Sequence, residues 1–310
     1  MEIAGINPVV LIAALMVAAV PILLAAIGEL VVEKAGVLNL GVEGMMIMGA
    51  ICGFAAAVAT GSPYLGFLGG AAGGAGLSLI FAFLTQVMLS NQVATGLALT
   101  LFGLGFSSLI GMGYGGQKPP AIHPVPFGPL ADLPVLGPIV FSHDLMVYVS
   151  IAAVAAVAWF LKGTRAGLIL KAVGENHDAA HALGYKVQRI RLLAILFGGA
   201  MAGLGGAYIS LVRVPQWTDG ITAGAGWIAL AIVVFASWKP WRVLLGAYLF
   251  GGITVLQLNM QAAGTWLPVQ YLSMSPYLIT ILVLVIMSAD RSRAAMNAPA
   301  ALGKNFQASR

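Results

Sequence analysis

The 310-residue chain is 60% apolar and only 8% charged, with a formal net charge of +5 and a mean hydropathy of +0.97. Soluble domains carry about 25% charged residues, and a soluble protein of this composition would expose more apolar surface than solubility allows. Uncharged apolar runs of roughly 20 residues, the length that crosses a bilayer, replace it, and a single Cys52 excludes a disulfide framework and a Cys-rich metal site.

In chain order, the apolar runs place membrane spans near 8–28, 40–60, 64–88, 92–114, 144–161, 191–212, 224–238, 243–261 and 275–289. The expected fold is an all-α polytopic membrane protein with about nine transmembrane helices, eight and ten being the neighbouring counts. The first run lacks the basic start and small-residue cleavage site of a signal peptide and reads as a retained span. The run at 224–238 is short and reads as tilted, broken or re-entrant, which backbone buried in protein tolerates. Gly69 and Gly73, Gly70 and Gly74, and Gly199 and Gly203 have the spacing that lets helix backbones approach closely in lipid.

Polar residues in the spans are few. Glu43 lies near the start of the second run, where an ionisable group is costly and faces protein or water rather than lipid. Two readings stand: it lines the path of a polar solute, or it pins its span to a neighbouring helix or backbone amide. Asn39, Asn91, Gln92 and Thr95 are the other candidates for a solute path. The connector at 115–143 holds seven prolines between 119 and 138, which stiffen it and predict an ordered cap. Trp217, Trp227, Trp238, Trp241 and Trp266 fall mainly near span ends, the position of interfacial anchors.

The densest basic cluster is Lys162, Arg165, Lys171, Lys186, Arg189 and Arg191, which the positive-inside rule places in the cytoplasm. Lys239, Arg242 and the tail residues Arg291, Arg293, Lys304 and Arg310 fall on the same side. The 115–143 connector is then outside and, for an odd span count, so is the N-terminus. The positive charge therefore sets topology and implies no nucleic-acid partner. Within the basic connector, Asn176 is placed to cap a short helix and Gly184 to end it in the left-handed conformation. A helix of about eight residues is not stable alone, so it must pack on its own spans or on a partner. The organisation expected is one transmembrane domain over 1–290, with a cytoplasmic loop at about 162–190, and a mobile tail over 291–310.

No GxxxxGK[ST], G-x-S-x-G or H-E-x-x-H sequence occurs, so neither a P-loop nor these hydrolase chemistries are available. His177 and His181 are four apart, but a metal needs further ligands. No catalytic residue, metal or bound cofactor is expected.

Asp178-Ala179-Ala180, followed four residues later by Gly184, resembles the EAA-type loop by which ABC permeases dock on their ATPase, with Asp in place of Glu. EKAGVLNLGVEGMMIMGA at 33–50, AVGENHDAAHALG at 172–184 and GGAMAGLGGAYISL at 198–211 are similar to the permeases of bacterial branched-chain amino acid, simple-sugar and nucleoside importers. The resemblance is strongest to the nucleoside and simple-sugar branch and runs from about residue 8 to 289. It implies a multi-pass inner-membrane subunit without its own ATPase site, forming the path for nucleosides or simple sugars. Its partners would be a cytoplasmic ABC ATPase, a second permease or another copy of itself, and an extracytoplasmic binding protein or lipoprotein. Gly174, Glu175, Asn176, Asp178, Ala179, Ala180 and Gly184 would form the coupling segment. The rival reading is an ion-coupled secondary transporter working as a single chain, which needs ionisable groups deep in the bundle; Glu43 is its one candidate.

Overall fold

Helices are the only regular structure among the described residues of the computed structural model, 8–264, 268–288 and 297–307. That follows from the solvent: lipid offers no partner for a backbone N–H or C=O, and a helix satisfies both internally. The helices are α1 (Pro8–Lys34), α2 (Val42–Thr60), α3 (Pro63–Ala82), α4 (Gln92–Gly111), α5 (Leu145–Gly163), α6 (Arg165–Glu175), α7 (His177–Ala182), α8 (Val187–Tyr208), α9 (Ala225–Phe235), α10 (Pro240–Ala262) and α11 (Val269–Ser288). α3 and α8 run on into π-helical turns at Phe83–Val87 and Ile209–Arg213. Among the described residues seven helices, α1 to α5, α8 and α10, are long and apolar enough to cross a membrane. α11 adds 20 residues. α9 has 11 residues and spans about 16 Å, half of a ~30 Å hydrocarbon core.

Each expected apolar run coincides with a helix, with residue 289 outside the described residues. The boundaries differ most in α1, which continues past the expected end at 28 to Lys34, and in α11, which begins at Val269 rather than near 275. Glu29 and Glu33 lie beyond the expected end of α1, yet both are buried, and each carboxylate has a donor inside the protein.

α1, α2 and α8 form the centre, with α3 and α4 on one side and α5, α9 and α10 on the other. The glycine pairs serve two faces of α3 that differ by one residue. A Cβ on Gly70 would lie 3.1 Å from the Gly203 carbonyl, and one on Gly74 would lie 2.2 Å from that of Gly199, so this face meets α8. Cβ atoms on Gly69 and Gly73 would meet Ala56 and Cys52 of α2 at 2.6 and 2.7 Å. Gly49 of α2 touches Gly203 as well, so three backbones converge where no side chain fits.

The proline-rich connector is ordered. Phe127 packs edge-on against Phe141 and Tyr148, with centroids 5.5 Å away in each case. Asp144 caps α5 by accepting from the Met146 amide at 2.8 Å and accepts the Tyr208 hydroxyl of α8 at 2.7 Å. The interfacial-anchor expectation fails for two tryptophans: Trp217 and Trp238 are buried in protein, while Trp227 and Trp241 are exposed. Trp266 lies outside the described residues.

Candidate functional site

The expected short helix is α7, and its local chemistry builds it. Asn176 Oδ1 accepts from the Ala179 amide at 2.9 Å, a side-chain N-cap. Gly184 has φ +88°. Its amide donates to His181 O at 2.8 Å and the Tyr185 amide to Ala180 O at 3.1 Å, the paired bonds of a Schellman C-cap. The seven residues assigned to coupling divide by exposure. Glu175, Asn176, Asp178, Ala179 and Gly184 are exposed, whereas Gly174 and Ala180 are buried. A Cβ on Gly174 would sit 2.1 Å from the Lys34 carbonyl, so that glycine is where α6 lies against the end of α1.

What holds α7 is a hub that the sequence did not advertise. Arg191, at the start of α8, is fully buried and has no carboxylate within ion-pairing distance among the described residues. Its Nε donates to Ala35 O at 3.2 Å, Nη1 to Lys304 O at 2.9 Å, and Nη2 to His177 Nδ1 at 3.0 Å. Arginine has no acceptor, so His177 accepts through an unprotonated Nδ1. Burial first, then Arg191, holds His177 below its ordinary pKa; Asp178, 3.7 Å from Nε2, opposes this and Lys304 adds to it.

The tail, expected to be mobile, is seated over 297–307. Lys34 Nζ donates to Asn297 O at 2.7 Å and the Ala301 amide to Gly174 O at 2.9 Å. Phe306 is buried, with ring centroids 5.4 and 5.2 Å from those of His177 and His181. Asn305 Nδ2 donates to Leu89 O at 2.6 Å. Tail contacts are made by backbone groups and two aromatic or amide side chains, which leave no apolar periodicity to read. Among the described residues no three His, Cys, Asp or Glu side chains gather as metal ligands.

The five residues considered for a solute path each make hydrogen bonds within this subunit. Gln92 clamps the tail to the α1–α2 loop: its Oε1 accepts from the Leu38 amide at 2.8 Å and its Nε2 donates to Asn305 Oδ1 at 3.1 Å. Asn39 is buried, with its amide 3.3 Å from Glu29 Oε1 and its Oδ1 accepting from the Gly41 amide at 3.0 Å. Asn91 caps α4, and the Thr95 hydroxyl pairs with Ser90 at 2.8 Å.

Glu43 holds the N-terminus of α9. Its Oε1 accepts the Thr222 hydroxyl at 2.5 Å and the Gly224 amide at 2.9 Å, and its Oε2 accepts the Gly226 amide at 2.7 Å. A carboxylate there satisfies orphan amides and complements the positive end of the helix dipole. The site is deep: α4 runs past it, with Thr100 beside Gly44, eight residues or about 12 Å inward from Gln92. At the other end of α9, Ser237 and Trp238 adopt φ +49° and +54°, a region non-glycine residues avoid. They bring the Trp238 indole N–H to Glu33 of α1. A half-length helix is thus clamped between two buried carboxylates.

Fold and site define a polytopic helical membrane protein with a clamped half-helix inside and a rigidly braced short helix on its basic end. Residues 11–287 match the family described as branched-chain amino acid transport system / permease component, and the chain belongs to that family. It is 40% identical to the "Putative glucose ABC transporter permease protein TsgC13" of Haloferax volcanii, over 93% of this chain and 94% of the relative. It is 32% identical to the guanosine ABC transporter permease protein NupQ of Bacillus subtilis, over 89% and 91%. Identity to the nucleoside ABC transporter permease protein NupC of Lactococcus lactis is 30%, over 89% and 92%. Membership of an ABC permease family decides against the single-chain secondary transporter.

Proposed function

We propose that this chain forms the translocation path of an ATP-driven importer for nucleosides or simple sugars, in a cytoplasmic membrane. The solute class follows the printed names of relatives that align along nearly the whole chain. ATP is hydrolysed by a separate ATPase, solute arrives from an extracytoplasmic binding protein, and a second permease or another copy completes the path. α9 and α11 join the seven long helices to give nine membrane-embedded helices, with the basic connector in the cytoplasm. Asn39, Glu43, Asn91, Gln92 and Thr95 support the path indirectly, by fixing the loop and half-helix beside it.

The observation that carries the coupling role is the bracing of α7. Its exposed Asp178 and Ala179, flanked by exposed Glu175, Leu183 and Gly184, face outward, while its inner face is tied through His177 and Arg191 to the α1–α2 loop, α8 and the tail. A push on such a helix is transmitted to the bundle rather than absorbed locally. Gly184→Val tests this, because no atom lies within 4 Å of the added Cβ and the strain of a β-branched residue at φ +88° falls on the C-cap alone. The variant is expected to reach the membrane at normal level, to co-purify poorly with the ATPase and to lose uptake. Normal ATPase recovery and uptake in Gly184→Val would refute the docking role.

A further inference from the structure

α5 and α8 both pack on α1 but leave a groove of about 770 Å³ between them, with Val31 of α1 at its floor and α6 across its basic end. Its walls follow helical periodicity: Ala153, Ala156, Val157 and Phe160 on α5, and Ile190, Ala194, Phe197 and Met201 on α8. Only Trp159 and Tyr185 bring an N–H or O–H group to the lining. From Ile190 to Met201 the groove runs about 16 Å along α8, half of a ~30 Å hydrocarbon core. That is the depth of one leaflet. Trp159, 68% exposed, stands at the rim with its ring against Gly163.

The charges flank the same end. Lys162 and Arg165 bracket the α5–α6 turn beside Phe160 and Ala166, and Lys186 and Arg189 bracket the start of α8 beside Tyr185 and Ile190. All four are exposed, and none has a carboxylate within ion-pairing distance among the described residues. An apolar slot one leaflet deep with an unpaired basic rim matches an acyl chain attached to an anionic headgroup, as basic pockets between membrane helices do. We infer that the groove binds one anionic phospholipid of the cytoplasmic leaflet, a chain lying between α5 and α8 and its phosphate meeting the basic rim. The bound chain fills the gap that protein packing leaves between α5 and α8, and so steadies α6, which leads into α7.

The test uses the full chain in mild detergent with phosphatidylglycerol or phosphatidylcholine carrying brominated chains, and reads the quenching of the fluorescence lost in Trp159→Phe. Phosphatidylglycerol is expected to quench at lower lipid-to-protein ratio than phosphatidylcholine. Each of Lys162→Gln, Arg165→Gln, Lys186→Gln and Arg189→Gln should weaken that preference by about five-fold. Ala156→Phe, at an exposed lining position, should abolish the phosphatidylglycerol preference, leaving only the equal annular quenching of the exposed Trp159, while the protein stays monodisperse. Equal quenching by the two lipids would mean annular contact only and would overturn the proposal. So would protection of Trp159 from both lipids together with cross-linking through it to a second copy, which would make the groove a protein interface.

Discussion

The glycine seam at the centre of the bundle and the hub at its basic end solve the same problem, holding helices together, by opposite means. The seam uses no polar group: α2, α3 and α8 meet where Gly49, Gly70, Gly74 and Gly203 leave only backbone. Lipid tails are as apolar as the helices, so close van der Waals contact is what favours association there. The hub relies on polar groups, around a small apolar cluster of Val173, Ala180, Val187 and Phe306. Arg191, Gln92, Asn39 and Asn305 join the α1–α2 loop and the tail through bonds to backbone carbonyls and amides, and Arg191 reaches α7 through the His177 ring. A seam tolerates no added volume, whereas a hub tolerates no lost partner.

That contrast can be broken, most severely at the seam. Gly203→Leu would place Cβ 2.2 Å from the Gly70 carbonyl, and we expect a cost of about 3 kcal/mol or more, seen as loss of monodisperse protein in detergent. Gly76→Leu on the same helix as Gly70 has nothing within 4 Å and should change stability by no more than about 0.5 kcal/mol. If both variants behaved alike, the seam would not be the packing determinant. Next is Arg191→Met, which deprives the carbonyl of buried Ala35 of its guanidinium donor and leaves the Lys304 carbonyl only its long bond from Gln92, at about 1–3 kcal/mol. The membrane helices should survive while trypsin cleaves after Lys304 faster. Unchanged cleavage would show that the tail is held without the guanidinium.

Glu43→Gln comes third, at about 2 kcal/mol, since an amide cannot accept on both sides and loses the dipole interaction. Folded yield and uptake should fall together; a loss of uptake alone would put the carboxylate on the solute path. The smallest effect expected is that of pH on His177. Because its folded pKa lies below the ordinary value of about 6.5, the unfolded or undocked state binds more protons below that pH. The stabilising contact is therefore complete above about pH 6.5 and is lost as pH falls through the depressed value. Hydrogen exchange in 297–307 should rise on acidification in the native protein and stay flat in His177→Gln, whose amide oxygen accepts from Arg191 without titrating.

Much of this was legible in the residues, unevenly. The caps of α7 were readable because Asn176 and Gly184 act on neighbours within a few positions. The GxxxG pairs showed that α3 packs closely but not that its two faces meet different helices. The apolar run carries the first span only to about 28, since burial of Glu29 and Glu33 beyond it depends on donors from Asn39 and, 205 positions from Glu33, from Trp238. Arg191 counted only as a topogenic charge, and the tail showed no pattern, because its contacts run through main-chain atoms that every sequence possesses.

By itself the sequence determined that the chain lives in lipid, where its helices lie, and how its short connector helix begins and ends, all properties of composition and of residues a few positions apart. Tertiary structure alone decided that Glu43 anchors a half-helix rather than standing free, that Arg191 gathers three distant segments, and that a leaflet-deep groove opens between α5 and α8. Those outcomes depend on which backbone amides and carbonyls arrive beside a side chain once the helices have packed, and neither spacing nor residue type encodes that.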